Sequence, residues 1–242
     1  MAEQYTIFAG IYDLFMENVP YDEWFEKIKN VLRDNDLLSG TLVDLGCGTG
    51  EMTERFAKEG YRVIGIDMSD DMLNEAYEKK IESGNDILYL NQDITEFEVG
   101  SDIDVFISVC DTLNYITDED ALNGVFARVS EALSKDGLFI FDMNTYHKYE
   151  DILANNTFAE NAENASFIWE NTFDKTTEIN EYYVTFYVET EDGLYERYEE
   201  CHNQRAYTQE KIIEFIENNG MTLVSRELSE DEDRAYYVVK KL

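Results

Sequence analysis

Short apolar runs alternate with amphipathic stretches from residue 22 to residue 143. Residues 22–33 carry apolar side chains at helical spacing, and Thr117 with Asp120 resembles a capping box that opens a helix through residue 133. Ser69 is the predicted N-cap of another helix. Five apolar runs have the length of buried strands: 42–45, 61–66, 87–90, 103–109 and 137–141. Strands that alternate with helices predict a parallel sheet with helices on both faces.

The pattern changes after the fifth apolar run. Three strand-like segments then follow one another without helices: 166–173, 181–189 and 194–205. Asp192-Gly193, just before the last of them, is a hairpin signal. Parallel α/β repeats do not contain such a meander, so we predict an antiparallel β insertion at residues 149–206.

The segments after the insertion return to the first pattern. Thr208 is expected to cap a helix that ends at Gly220, and strands at 222–228 and 235–240 follow. The predicted fold class is α/β, a Rossmann-like, doubly wound and mostly parallel sheet of seven strands with the insertion after strand five. The core then comprises two parts of the chain, residues 1–148 and 207–242.

A glycine-rich turn lies where the first strand gives way to a helix, in the sequence Val43-Asp44-Leu45-Gly46-Cys47-Gly48-Thr49-Gly50. Glycines there let a ligand approach the backbone amides and the helix N-terminus. Nicotinamide enzymes use the same arrangement, but their pattern requires a small residue where this chain has Glu51. Asp44 disfavours a pyrophosphate and favours a ligand with a positively charged amino-acid end.

At this point the sequence resembles the class I S-adenosylmethionine-dependent methyltransferases. The resemblance rests on the segment from Asp44 to Gly50, on Asp67 after the second strand, and on motifs after the third and fourth strands: Gln92-Asp93-Ile94 and Val109-Cys110-Asp111-Thr112-Leu113-Asn114-Tyr115. It extends from about Tyr5 to Met143 and resumes in the C-terminal helix and strands. It is closest to small bacterial members that begin with a segment like Phe8-Ala9…Tyr12-Asp13…Pro20-Tyr21…Trp24.

The resemblance implies S-adenosylmethionine as the cofactor and assigns a contact to each motif. Asp44 meets the methionine ammonium, Asp67 accepts the ribose hydroxyls, and Asp93 with the backbone of Ile94 meets the adenine edge. Asp93 could instead form a turn, and methionines at helix spacing are more often core than pocket. The other expected cofactor-binding residues are Gly46, Cys47, Gly48 and Gly50 of the turn, Met68 and Met72 beside adenine, Cys110 and Asp111 after the fourth strand, and Tyr12 in an N-terminal aromatic lid.

Candidate catalytic residues lie after the fourth strand and near the end of the insertion. The family places acceptor-facing groups where this chain has Asn114 and Tyr115, and relatives carry a His-x-x-Arg-x-Tyr pattern like the one at His202 and Arg205. His202 is either a residue that touches the acceptor or a structural polar residue. The aromatic residues of the insertion either pack across strands or form an acceptor-binding cap. A sulfonium methyl is already activated, so positioning and water exclusion supply much of the rate.

Composition narrows the partners. A net charge of −34 without a Lys/Arg-rich segment disfavours nucleic acid and anionic membrane surfaces, although solubility or a salty habitat also explains it. Three cysteines are too few and too irregularly spaced for a disulfide framework, and the start lacks a signal peptide, so we expect a cytoplasmic protein. We expect a monomer or homodimer that methylates a small-molecule acceptor and binds no metal. The alternatives are a non-catalytic cofactor-binding or partner-binding module and, less favoured, an NAD-dependent oxidoreductase.

Overall fold

The computed structural model describes residues 20–162, 164–190 and 192–242. The strands of the main sheet are β1 (Thr41–Leu45), β2 (Arg62–Asp67), β3 (Ile87–Asn91), β4 (Ile103–Ser108), β5 (Leu133–Asn144), β10 (Met221–Leu228) and β11 (Arg234–Lys241). They lie in the order β10-β11-β5-β4-β1-β2-β3. β11 pairs antiparallel with β5 and β10, and the other pairings are parallel. The predicted fold class is therefore confirmed.

Helices cover both faces of this sheet: α1 (Tyr21–Asp34), α2 (Glu51–Lys58), α3 (Asp70–Ser83), α4 (Glu119–Ala132) and α5 (Gln209–Asn218). Side chains along β1 alternate between two apolar clusters. Leu42 packs in the cluster that holds the buried side chains of α1, α2 and α3, whereas Val43 and Leu45 pack in the cluster that holds those of α4 and α5. The sheet is buried on both faces, as a parallel sheet requires.

Two of the predicted helix caps are present and one is wrong by a residue. The Ser69 hydroxyl accepts from the Met72 N–H, and the Thr208 hydroxyl accepts from the Lys211 N–H. The helix after β4 is capped by Asp118, whose Oδ1 accepts from the Ala121 N–H at 2.8 Å, and not by Thr117. A carboxylate is a favoured cap at a helix N-terminus.

The second sheet contains four antiparallel strands in the order β6-β7-β8-β9, and we call it the cap sheet. Its strands are β6 (Thr157–Asn161), β7 (Ala165–Asp174), β8 (Ile179–Glu189) and β9 (Tyr195–Arg205). The meander of β7, β8 and β9 matches the predicted segments, but β6 was not predicted. All five residues of β6 are exposed, so this edge strand lacks the alternation of apolar and polar residues on which the prediction relied.

Asn114 joins the cap sheet to the main sheet. It lies in a short 3-10 helix, Thr112–Tyr115, and is fully buried. Its amide nitrogen donates to the backbone carbonyl of Arg205 at 2.8 Å, and its amide oxygen accepts from the Asn144 N–H at 2.9 Å. One side chain therefore ties the end of β9 to the end of β5.

A search for membrane spans among the described residues finds no helix that is both long enough and apolar enough to cross a bilayer.

Replacing Asn114 with Ala should lower the free energy of unfolding by about 2–4 kcal/mol, because it leaves a buried carbonyl and a buried N–H without partners. Chemical denaturation measures this loss. Asn155→Ala, at an exposed position, is the matched control and should change stability by less than about 0.5 kcal/mol. Equal effects of the two changes would contradict the joining role of Asn114.

Candidate active site

A cavity of about 540 Å³ opens at the carboxyl ends of β1, β2 and β4. The strand order reverses here, because β2 and β3 lie on one side of β1 and β4 and β5 on the other. Open α/β sheets bind ligands at such a point. Most of the predicted site residues line this one cavity: Asp44, Gly46, Cys47, Gly48, Asp67, Met68, Met72, Asp93, Ile94, Cys110, Tyr115 and His202.

The glycine turn brings its backbone to the cavity. The N–H groups of Gly46 and Cys47 both donate to the carbonyl of Ile66, which fixes the turn against the end of β2. Gly46 has φ +73°, and a Cβ there would lie 2.3 Å from the Thr112 side chain. Gly48 also has positive φ and lines the cavity. A residue with a side chain would strain the backbone at Gly46, and at Gly48 its side chain would crowd the ligand.

Asp67, the last residue of β2, holds the glycine turn by a direct hydrogen bond. Its Oδ2 accepts from the Gly48 N–H and its Oδ1 from the Ser69 N–H, each at 2.9 Å. Burial raises the pKa of this carboxyl, and the backbone N–H donors oppose the rise. Each oxygen keeps a further lone pair, so the carboxylate is able to accept two ligand hydroxyls as well.

Asp44 is the unusual group of the site. Its side chain is 1% exposed, and neither carboxylate oxygen has a hydrogen-bond partner among the described residues. Burial, together with the negative charge of Asp67, raises the pKa of Asp44 to about 8. A buried carboxylate without a partner is costly, and a ligand ammonium group would relieve that cost. The residues present therefore fit a cofactor with a cationic amino-acid end.

The residues expected around adenine also line the cavity. Asp93 Oδ1 accepts from the N–H and the hydroxyl of Thr95, so Asp93 does form a turn in addition to lining the cavity. Met72 is buried, whereas 39% of Met68 is exposed. Of the two methionines, Met68 therefore has the larger accessible surface for contact with a ligand.

Tyr115 and His202 form another part of the lining, and Tyr182 packs against His202. His202 comes from β9, is 3% exposed, and its Nε2 lies 2.9 Å from Glu200 Oε2. Its ring stacks on Tyr182 and meets the edge of Tyr115, with centroid distances of 5.0 and 5.9 Å. The two tyrosine hydroxyls are hydrogen-bonded to each other. Glu200 and the tyrosines therefore fix the orientation of the imidazole that faces the cavity.

Four predicted site residues do not line the cavity. Asn114 is engaged in the contacts between the sheets described above. The Arg205 guanidinium forms ion pairs with Glu119 and Glu178 instead of reaching the cavity rim. Gly50 is the N-cap of α2 with φ +83°, and Asp111 is bound to Arg234 and Gln204. Tyr12, which was predicted to bind the cofactor, lies outside the described residues.

Asp111 belongs to a buried ion-pair cluster, Arg234 with Asp111 and Asp142, which we call the arginine clamp. The Arg234 guanidinium donates to Asp142 and, at 2.7 Å, to Asp111 Oδ1. Gln204 Nε2 donates to Asp111 Oδ2 at 2.6 Å. Cys110 and Asp111 have φ +60° and +50°, so the clamp holds a strained turn directly behind the cavity. Sequence reasoning missed this cluster because Arg234 is more than a hundred residues from Asp111.

Glu51 lines the cavity but was not predicted to take part in the site. Its carboxylate pairs with Lys79 at 2.6 Å and with Arg55 at 2.5 Å, and both contacts lower its pKa against the effect of burial. The spacing of Glu51 and Arg55, one helical turn apart, was a visible clue. The charge of Glu51 fills the position where a dinucleotide site has a small residue.

The chain is similar to known methyltransferases. The profile of the family described as methyltransferase domain matches residues 42–137. A putative methyltransferase of Geobacillus sp. (strain WCH70) is 34% identical over 98% of this chain and 99% of its own length. A dTDP-3-amino-3,4,6-trideoxy-alpha-D-glucopyranose N,N-dimethyltransferase of Streptomyces venezuelae is 26% identical over 55% of this chain and 56% of its own. The crystal structure of an S-adenosylmethionine-dependent methyltransferase from Clostridium acetobutylicum ATCC 824 superposes with a TM-score of 0.89 at 31% identity and covers 98% of both chains.

Replacing Asp67 with Asn should weaken the binding of S-adenosylhomocysteine by about 1–3 kcal/mol, because hydrogen bonds to a charged acceptor are lost. Isothermal titration calorimetry measures the change. Asp70→Asn, an exposed carboxylate at the start of α3, is the control and should leave the affinity unaltered. An unchanged dissociation constant for Asp67→Asn would move the ribose contact to another residue.

The raised pKa of Asp44 predicts how stability depends on pH. The unfolded carboxyl ionises near pH 4, whereas the folded one keeps its proton until about pH 8. Its contribution to stability is therefore fully present below pH 4 and is lost as the pH rises to about 8, with a slope of at most about 1.4 kcal/mol per pH unit. Asp44→Asn should remove this slope. The free energy of unfolding of the variant should therefore rise relative to that of the wild type between pH 4 and pH 8. Urea titrations across that range measure it, and a constant difference would contradict the assignment.

Proposed function

The chain belongs to the class I S-adenosylmethionine-dependent methyltransferases, and we propose that it methylates a small molecule held between the glycine turn and the cap sheet. The observation that supports this most directly is the shared cavity. Its lining includes the unpartnered Asp44 carboxylate together with His202 and Tyr115. A cofactor bound by its cationic end at Asp44 and an acceptor against His202 would then share one enclosed space.

The cofactor-binding residues follow from their places along the cavity. Asp44 would pair with the methionine ammonium, Asp67 would accept the ribose hydroxyls, and Asp93 with Ile94 would meet adenine. Bound S-adenosylmethionine supplies an activated methyl group on a positively charged sulfur. The remaining tasks for the protein are to orient the acceptor, exclude water and take up a proton.

His202 is the residue proposed to take up that proton. A hydroxyl acceptor, or an amine that enters as its ammonium ion, must give up a proton before or as the new bond to carbon forms. If Nε2–H is donated to Glu200, Nδ1 is the nitrogen able to accept it, and the adjacent carboxylate stabilises the resulting cation. Tyr115, whose hydroxyl is bound to that of Tyr182, would orient the acceptor in line with the methyl group.

The insertion at residues 149–206 would act as the acceptor cap on a core of residues 1–148 and 207–242. It leaves β5 at the ligand-binding edge of the main sheet and returns through β9, the strand that carries His202. Its Tyr182, Val184 and Phe186 form a buried apolar cluster next to Tyr115. Apolar walls of this kind keep water away from the reacting atoms.

The relatives support a small acceptor. The Streptomyces venezuelae protein is, by its name, an amino-sugar N,N-dimethyltransferase. Nucleic acid remains disfavoured by the net charge of −34.

Replacing His202 with Ala should lower kcat about 10²-fold or more while leaving the dissociation constant of S-adenosylhomocysteine within twofold. Methyl-labelled S-adenosylmethionine and a pooled library of amines, alcohols, phenols and thiols first identify an acceptor by transfer of label. The variants are then compared on it. His147→Ala, the other histidine of the chain and an exposed one, is the control and should retain full activity. Wild-type activity of His202→Ala would reject the proton role, and no transfer to any acceptor would favour a non-catalytic module.

A further inference from the structure

The cavity is lined by acidic side chains. It has five carboxyl groups, which belong to Asp44, Glu51, Asp67, Asp93 and Asp118. Among the described residues that line it there is no lysine and no arginine. The nearby cations Arg55 and Lys79 are both paired with Glu51. Residues 1–19 and positions 163 and 191 also contain no lysine or arginine, so the sequence offers none from there either.

The insertion adds no free cation. Residues 149–206 contain three basic side chains against fourteen carboxylates. Lys175 pairs with Glu150, Arg197 with Glu199, and Arg205 with Glu119 and Glu178. Each positive charge of the proposed acceptor cap is therefore already neutralised by a carboxylate of this chain.

Such a site is poorly suited to a phosphate group. A phosphate monoester brings between one and two negative charges and is normally bound by arginine, lysine or a helix N-terminus. The glycine turn and the start of α2 serve the cofactor, and Glu51 occupies that helix N-terminus. The Streptomyces relative is named for an acceptor sugar that is linked to a nucleotide. Such an acceptor would require cationic groups for its phosphates, which the described lining of this cavity lacks.

A cationic acceptor fits the same surroundings. Glu200 is buried beside His202, and Asp118 lines the cavity three residues after Tyr115. The Tyr115 ring also lines the cavity, and aromatic rings attract cations. The unpartnered Asp44 indicates that this cavity accommodates a cationic ligand. Asp44 is assigned to the cofactor, so the carboxylates nearest the acceptor are Asp118, which lines the cavity, and Glu200, which acts through the His202 ring that it contacts.

We propose that the acceptor is an amine that enters as its ammonium ion and carries no phosphate group. This rests on the methyl transfer proposed above. The ammonium gives one proton to the His202 imidazole, and the freed nitrogen lone pair attacks the methyl carbon. The carbon–sulfur bond breaks, its electron pair stays on sulfur, and the positive charge moves from sulfur to the methylated nitrogen. Charge is conserved within the cavity throughout.

The test uses the full chain saturated with S-adenosylhomocysteine and three probes of one shape: 2-phenylethylamine, 2-phenylethanol and 2-phenylethyl phosphate. Ligand-observed NMR titration at low salt gives their dissociation constants. We expect the amine to bind at least about fivefold more tightly than the alcohol and the phosphate to bind most weakly of the three. Equal affinities, no binding by any probe, or tightest binding by the phosphate would each overturn the proposal.

Asp118→Asn isolates the charge, because asparagine caps a helix as well as aspartate does. It should weaken the amine about fivefold and leave the alcohol unchanged. Asp34→Asn, an exposed carboxylate on α1, is the matched control and should change neither. Equal weakening of the amine by both variants would mean that only the overall charge acts, and would overturn the assignment to this cavity.

The outcomes separate this proposal from the proposed function. Methyl transfer to a phosphorylated acceptor would leave the function standing and refute the amine. Tight amine binding without methyl transfer to any acceptor would support the preference for amines and refute the proposed methyl transfer.

Discussion

The arginine clamp is the interaction on which the site depends most. Asp111 and Asp142 are close enough for the Asp111 N–H to donate to Asp142 Oδ1 at 3.3 Å, and both carboxylates are buried or nearly so. Without Arg234 between them, two like charges would face each other at low dielectric. Burial raises the pKa of Asp142 and the guanidinium opposes that rise, while the carboxylates raise the pKa of Arg234 despite its burial. The strained residues Cys110 and Asp111 keep their left-handed backbone because this cluster holds them.

The arginine clamp also connects the main sheet to the cap sheet. Arg234 opens β11, and Asp142 lies near the end of β5 directly opposite Tyr236 in the strand pairing. From Asp111 the hydrogen bonds continue to Gln204 and from Gln204 to the Tyr149 hydroxyl at the entrance to the insertion. Gln204 lies two residues after His202, on the same face of β9. The main sheet and the cap sheet therefore share one network of buried polar contacts, and movement of one sheet strains the other.

The parts that sequence predicted well are those encoded locally. The glycine turn, Ser69 and Thr208 are fixed by neighbours within a few residues, and the alternation of strands and helices was enough for the fold. Asp118 and not Thr117 caps α4. The two residues are adjacent and both are able to cap a helix, and the sequence pattern does not show which of them does so. β6 is an exposed edge strand that lacks an apolar face. Arg205 and Arg234 could not be assigned because their partners are distant in sequence and only the tertiary fold brings them together.

The unpartnered Asp44 has a consequence for the lifetime of the protein. A ligand that supplies an ammonium group to this carboxylate binds the folded chain and not the unfolded one, so its concentration shifts the folding equilibrium. The fraction of chains open to proteases then falls when the methyl donor is abundant and rises when it is scarce. The abundance of the enzyme would in this way follow the supply of its own cofactor, with no separate regulatory site.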